Sequence, residues 1–394
     1  MSTEPSQATS PAACRAGSTR ILHIVGDSEY GGASKMIVSL VVAAVQEGYE
    51  VDVLATNPQF CSEVEAAGGR AIKHNFVRRQ ISPVRDAVGL LQLAWWLRKQ
   101  SYDVVQTHTS KGGIVGRAAA RIAGRSRVMH TVHGYAFHGA SSLVARKAVV
   151  RLERLGARWC DLLVTVSESH REQTLRERIA PPHKVIAIAN GVPAPRLFSV
   201  DEVAELRSTL GVGEPGKLVV YCGRLAPQKG LPHLVEAVQI LAKREPTLRV
   251  VLAGDGPSGR ELQSLTQELQ LGCMISFLGF RSDVDRLMRA SDIVVLPSLW
   301  EGMSIALLEA MANACTVITT SIPSNMEVVG ASDCAAIVEP GDPLGLAQQI
   351  AALLGDEERR QELAHKAMRS YEQKYSVDVM CRRYLEIYDS LSSA

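Results

Sequence analysis

Two pairs of charged residues carry the chemistry open to this sequence. In "PSLWEGMSIALLEAMANA", Pro297 to Ala314, Glu301 and Glu309 stand eight residues apart, and Gly302 follows the first. Glu309 sits among Ala306, Leu307, Leu308, Ala310 and Met311, where core packing asks for no carboxylate. In "GRLAPQKG", Arg224 and Lys229 share a loop with Pro227 and Gly230. A guanidinium offers a planar fork and an ammonium a mobile point charge, a combination suited to a diphosphate. The helix after Glu301 begins near Met303 or Ser304, and its free N–H groups and dipole form an anion site. Carboxylates, for their part, accept paired hydrogen bonds from sugar hydroxyls. A solvated surface explains each charge taken alone. It does not explain the four together.

Other glycine loops carry less. "GDGPSG", Gly254 to Gly259, follows a strand as a dinucleotide fingerprint would, but "MISFLGF" beyond it lacks the carboxylate that would hold a ribose. "GDSEYGGASK" lacks the Gly-Lys-Ser/Thr order of a phosphate-binding P-loop. Within it, Gly31 and Gly32 lie between a strand and a helix, where backbone either turns tightly or comes close to a ligand.

The elements that must position these residues alternate. "RILHIV", "YEVDVLAT", "YDVVQTH", "RVMHTVHG" and "CDLLVTVS" read as strands, with helical stretches over Ala33 to Glu47 and Val84 to Lys99. The pattern restarts with "GKLVVYCGRL", "LRVVLAGDG", "ISFLGF", "SDIVVLPS" and "CTVITTS", with a helix over Leu234 to Arg244. Such alternation indicates an α/β protein with parallel sheets. "NGVPAPRLF", Asn190 to Phe198, reads as a hinge between two Rossmann-like halves whose strand ends face a cleft. With 394 residues, two domains are the natural division: 20–192 and 193–375. Residues 1–19, rich in Ser, Thr, Pro and Ala without an apolar h-region, are expected to form a disordered leader. Eight scattered cysteines without a CxxC pair point to a reduced, cytoplasmic setting, with no zinc site or disulfide framework.

Charge is unevenly shared. Residues 1–195 hold 24 Lys and Arg against 15 Asp and Glu, so the first half is strongly basic and the second acidic. That asymmetry suggests an anionic partner for the first half, the alternative being a chance distribution over solvated faces. No apolar run is long enough to cross a bilayer.

Taken together, the motifs resemble the GT-B glycosyltransferases of glycosyltransferase family 4, retaining enzymes that use nucleotide sugars. "EGMSIALLE" is similar to that family's E-x7-E motif and "GRLAPQKG" to its R-x4-K motif. "LAGDGP", "FLGF" and "SDIVVLPS" fall between them in the family's order, and the resemblance spans about residues 20–390. It implies that Glu309 holds the ribose, Glu301 the donor hexose, and Arg224 and Lys229 the diphosphate. Backbone N–H groups of Gly302, Met303, Ser304 and Ile305 would assist. Gly31 and Gly32 would approach the donor, His133 would lie near the transferred sugar, and the base would rest near Phe280 and Arg281. The C-terminal helix, 376–394, would cross back onto the first domain. No metal or other cofactor is expected. Asp283 and Asp285 in "RSDVDRLM" open a helix, where acidic residues suit the dipole and a capping role is expected ahead of a metal.

"VVQTHTSKGGIVGRAAARIAG" with "HTVHGYAFH" is similar to the acceptor side of polysaccharide-assembly members. His108 and Lys111 are expected at a strand end facing the cleft, with Lys111 either meeting a lipid-linked diphosphate or simply solvated. Ser142 to Trp159 forms a basic amphipathic helix that can lie on an anionic membrane, or pack as a core helix with its cations outward. The expected function is transfer of a hexose or N-acetylhexosamine from a nucleoside-diphosphate sugar, with UDP the expected nucleotide, to a lipid-linked glycan. Such an enzyme would work in the cytoplasm or peripherally at the inner face of the membrane, with no nucleic-acid partner. The alternatives are transfer to a soluble small molecule, a catalytically silent nucleotide-sugar binding module, and a GT-B epimerase that needs no acceptor.

Overall fold

The computed structural model describes residues 19–393 apart from 27–29, 75, 78–79, 81, 136, 138–141 and 214. The leader expected over 1–19 therefore falls almost wholly outside the described residues. The first seven strands are β1 (Arg20–Gly26), β2 (Glu50–Ala55), β3 (Arg70–Ile72), β4 (Val104–Thr107), β5 (Arg127–Val132), β6 (Leu162–Thr165) and β7 (Val185–Ala187). They form one parallel sheet in the order β3-β2-β1-β4-β5-β6-β7. The crossover helices are α1 (Gly32–Gln46), α2 (Pro58–Ala66), α3 (Pro83–Arg98), α4 (Ser110–Ala123), α5 (Leu143–Ala157) and α6 (Glu168–Arg176).

The second sheet holds β8 (Lys217–Cys222), β9 (Leu248–Ala253), β10 (Ile275–Gly279), β11 (Ile293–Leu296), β12 (Val317–Thr320) and β13 (Ala336–Val338). Its order is β10-β9-β8-β11-β12-β13, again parallel throughout. Its helices are α7 (Val200–Thr209), α8 (Leu231–Leu241), α9 (Gly259–Glu268), α10 (Val284–Ala290), α11 (Ile305–Ala312), α12 (Pro323–Val329), α13 (Pro343–Gly355) and α14 (Glu357–Lys374). Parallel strands covered on both faces read as continuous apolar runs, and β4, β11 and β12 are buried at every residue. In each half the strand order reverses beside the first strand, between β1 and β4 and between β8 and β11. Ligands of such sheets bind at that reversal.

The last helix, α15 (Val377–Ser392), leaves the second half. Its Met380, Cys381, Tyr384 and Tyr388 join the core under α1 and β1 in the first half. Two chain segments cross side by side to make this possible. Val192 N–H donates to the Tyr375 carbonyl at 3.0 Å, and Val377 N–H to the Val192 carbonyl at 2.9 Å. Gly191 sits at the crossing, where a Cβ would lie 2.4 Å from the Ser376 carbonyl oxygen. Gly191→Ala should therefore destabilise the protein by about 1–3 kcal/mol through overpacking. A urea midpoint equal to the parent's would show that the two segments can part without cost.

Candidate functional site

In the second half, loops after β8 and β11 are pressed together. Leu299 N–H donates to the Gln228 carbonyl at 2.8 Å. Gly230 closes the short turn after Lys229 at φ 62°, and a Cβ there would lie 2.2 Å from the Pro297 carbonyl oxygen. Both the left-handed backbone and the close approach require glycine. The outcome is an ion pair between Lys229 Nζ and Glu301 Oε1, with side chains only 16% and 7% exposed. Ser298 Oγ donates to the same carboxylate oxygen at 2.9 Å, and Gln228 Nε2 reaches the other at 3.4 Å. Arg224 stands exposed on the β8 loop, whose carbonyl at that residue accepts the Tyr221 hydroxyl at 2.9 Å.

Ser304 caps α11, its Oγ accepting Leu307 N–H at 3.3 Å. The turn before it is fastened to the first half. The Gly302 carbonyl accepts Ser167 Oγ–H at 3.0 Å, and a Cβ on Gly302 would lie 2.0 Å from the His133 carbonyl oxygen. Met303 is buried, and its sulfur accepts Asn190 N–H at 3.2 Å. Gly32 lies against Ile305, where a Cβ would come within 2.9 Å of its side chain, whereas Gly31 faces open space.

One turn into α1, Lys35 Nζ meets Glu309 Oε1 at 2.7 Å, so the second carboxylate bridges the halves. Burial opposes the charge on Lys35, but Glu309 beside it outweighs that and raises its pKa. A cavity of about 250 Å³ opens at this bridge, lined among others by Glu63, Pro193, Asp285 and Asn313.

His133, after β5, faces the α11 turn. Behind it runs a row of rings: His133 Nε2 lies 3.0 Å from His108 Nδ1, and His108 Nε2 lies 3.0 Å from His23 Nδ1. His130, on β5, contacts Thr107 Oγ1 at 2.9 Å. Burial lowers all four pKa values, His133 to about 4 and His23 to about 3, so the row is uncharged near neutrality.

Three expectations need correction. His108 does not face the cleft: it is fully buried, its ring held between those of His23 and His133. Lys111 is half-buried and engaged within its own half. Its ammonium meets Asp86 at 2.7 Å and the Gln80 carbonyl at 2.5 Å, fastening α4 to α3. Asp283 occupies the N-cap position of α10 without capping it, since Arg281 holds both its oxygens at 2.7 and 2.6 Å. Asp285 accepts instead from Asn313 Nδ2 at 3.0 Å. Phe280 stands 63% exposed at the end of β10. Sequence reasoning missed Lys35, His23, Ser298 and Gln228. Lys35 ends the quoted "GGASK" run, whereas His23 sits unmarked inside a strand.

Comparison with known proteins agrees with this architecture. A family model described as Glycosyltransferase Family 4 matches residues 30–196, and one described as Glycosyl transferases group 1 matches 202–370. The chain belongs to the GT-B glycosyltransferases of the family 4 type. It is 34% identical over 251 residues to the Escherichia coli UDP-Gal:alpha-D-GlcNAc-diphosphoundecaprenol alpha-1,3-galactosyltransferase, covering 63% of this chain and 65% of that protein. It is 26% identical over 369 residues to the D-inositol 3-phosphate glycosyltransferase of Corynebacterium glutamicum, covering 87% and 88%. Its fold is similar to that of Anabaena HepE, crystallised with UDP-glucose: the TM-score is 0.82 at 23% identity, covering 94% and 99%.

The histidines give this fold a pH dependence. An unfolded histidine gains its proton near pH 6.5, while His23, His108 and His130 stay neutral in the fold until the pH is far lower. Below pH 6.5 the unfolded chain thus binds more protons, and stability falls with falling pH by about 1.4 kcal/mol per unit for each such group. Urea midpoints should hold level from pH 8 to 7 and drop steeply between pH 6 and 5. His23→Phe should flatten that drop, and an unchanged slope would remove His23 from the account.

Proposed function

We propose that this protein transfers a hexose or N-acetylhexosamine from a UDP-sugar to a lipid-linked glycan, with retention at the anomeric carbon. The observation that carries the reading is the gathering of Arg224, Lys229, Glu301 and the α11 N-terminus at one strand reversal, opposite His133. Departure of a nucleoside diphosphate leaves charge on its oxygens, and two cations plus the first-turn N–H groups of α11 stabilise it. Glu301, held by Lys229 and Ser298, is positioned to accept from donor hydroxyls. Glu309 lies beyond the helix start at the domain seam, where it would accept from the ribose and exchange part of its bond to Lys35. With charge neutralised by side chains, we propose that no metal is needed and that the acceptor attacks from the face the diphosphate leaves.

The lipid-linked acceptor is supported by the E. coli relative's acceptor, named as a diphosphoundecaprenol, and by the outer surface of the first half. α3 exposes Val84, Val88, Leu91 and Trp95 at helical spacing, and α5 exposes Leu143 at 76% and Val144 at 79%. Leu143 and Val144 open α5, which follows the β5 loop and so starts at the cleft end of the sheet. Of the cations on α5 and its C-cap, Arg146 turns to Glu177 and Arg154, itself exposed, to the Glu177 carbonyl, while Lys147, Arg151 and Arg158 are exposed as well. Basic residues among exposed apolar ones suit an anionic leaflet. Among the described residues no helix is long and apolar enough to cross a membrane. The inositol phosphate relative favours the second reading, transfer to a soluble small molecule.

Mass-spectrometric turnover with UDP-hexoses, offered a polyprenyl diphosphate sugar in one arm and inositol phosphate in the other, decides between them. Transfer should survive EDTA, and loss restored by magnesium would refute the metal-free proposal. Glu309→Ala should weaken UDP binding by about 1.5–3 kcal/mol, read by calorimetry. Unchanged affinity would end the ribose assignment. Val144→Ser combined with Lys147→Gln and Arg151→Gln should release the protein from anionic liposomes while leaving UDP affinity intact. Retention on the liposomes would remove α5 as the docking face.

A further inference from the structure

The histidine row is more specific than a packed cluster. A neutral imidazole has one N–H and one lone pair, so each nitrogen–nitrogen contact at 3.0 Å needs a donor on one side only. His108 uses both ring nitrogens, one toward His23 and one toward His133. Fixing any one ring's tautomer therefore fixes the other two, and just two arrangements of the row are consistent.

In the inward arrangement, His133 Nε2–H donates to His108 and His108 Nε2–H to His23. That leaves an N–H on His23 Nε2. In the outward arrangement, His23 Nδ1–H donates to His108 and His108 Nδ1–H to His133. His133 then carries its proton on Nδ1, and His23 Nε2 holds a bare lone pair. His23 Nε2 is buried and has no hydrogen-bond partner among the described residues. Its ring lies against the Tyr388 ring of α15, centroids 6.4 Å apart and nearly perpendicular. The Tyr388 hydroxyl gives its proton to Gln106 Oε1, and its oxygen makes no hydrogen bond with His23 Nε2. A buried N–H without an acceptor is the rarer defect, and an unfilled acceptor site is met more often. The outward arrangement is the one this burial favours.

We propose that His23 and His108 are positioning residues that set His133 as an Nδ1–H donor toward the cleft, so that His133 hydrogen-bonds a ligand oxygen and does not take up a proton there. The tautomer follows from the geometry alone. The identity of the accepting oxygen, on the donor sugar or its leaving phosphate, rests on the transferase reading above. α15 belongs to this device because Tyr388 closes the blind end of the row, which ties the last helix of the chain to the hydrogen-bonding character of a cleft residue.

Nitrogen-15 NMR of histidine-labelled full-length protein, without ligand, reads the proton on each ring nitrogen, with His133→Gln assigning the signal. The expected result is His133 protonated on Nδ1 and bare on Nε2; the opposite tautomer overturns the proposal whatever the protein transfers. In His23→Phe the row loses its fixed end, and His133 should become a mixture of both tautomers. Transfer should fall about three- to tenfold in kcat, the range of one neutral hydrogen bond. His23→Asn, whose amide nitrogen reaches the position of Nδ1, should restore both the single tautomer and the rate. If His23→Phe folds by circular dichroism and His133 keeps one tautomer, the relay is wrong. If the tautomers respond as expected while no sugar is transferred under any condition, the relay stands and the transferase reading fails.

Discussion

The site depends on the contact between the loops after β8 and β11. These strands are neighbours in the sheet but lie 70 residues apart in the chain, so only the sheet order brings Lys229 to Glu301. Once they meet, burial makes the pair exacting. Each charge has lost most of its water, and either one left alone would be costly. Ser298 and Gln228 complete the carboxylate's shell, and Gly230 lets the loops approach closely enough for the pair to form. The turn that leads into α11 is thereby held against the β8 loop, which also carries Arg224.

A second set of contacts decides how the two halves face each other. Gly302 touches the His133 backbone, Gly32 touches Ile305, and Lys35 reaches Glu309 across the seam. None is an apolar contact of the size that holds a domain core together. Polar and glycine-mediated seams of this kind suit halves that must part for a ligand to enter and close again. The rigid tie lies at the rear, where residues 190–192 and 375–377 cross and α15 sinks four side chains into the first core. The contacts named at the cleft are thus polar or glycine-mediated, while the rear is packed with apolar side chains.

The first half uses histidine where most sheets of this type place aliphatic residues. His23, His108 and His130 are buried because they occupy strand or strand-end positions whose side chains point inward. Low polarity keeps them neutral, and the short distances between them make their tautomers interdependent. The cost is paid in acid stability.

Much of this was legible from sequence. Alternating apolar runs dictated two α/β halves, because a buried parallel strand and an amphipathic helix leave different periodicities. Glu301, Glu309, Arg224, Lys229 and Gly302 were recognisable because polar residues and glycine stand out in apolar surroundings. The edge strands β3, β7 and β13 were not read, since three half-covered residues carry too little pattern. Tertiary structure alone decided partners. Lys111 and Lys35 are both lysines near the start of a helix, yet one is consumed by Asp86 and the other spans the seam to Glu309. His108 and His133 look alike in sequence, but one is sealed under β1 and the other borders the cleft. Sequence determines which groups a residue can offer. Which of them remains available depends on neighbours brought from distant positions by the sheet order, and no local pattern records that.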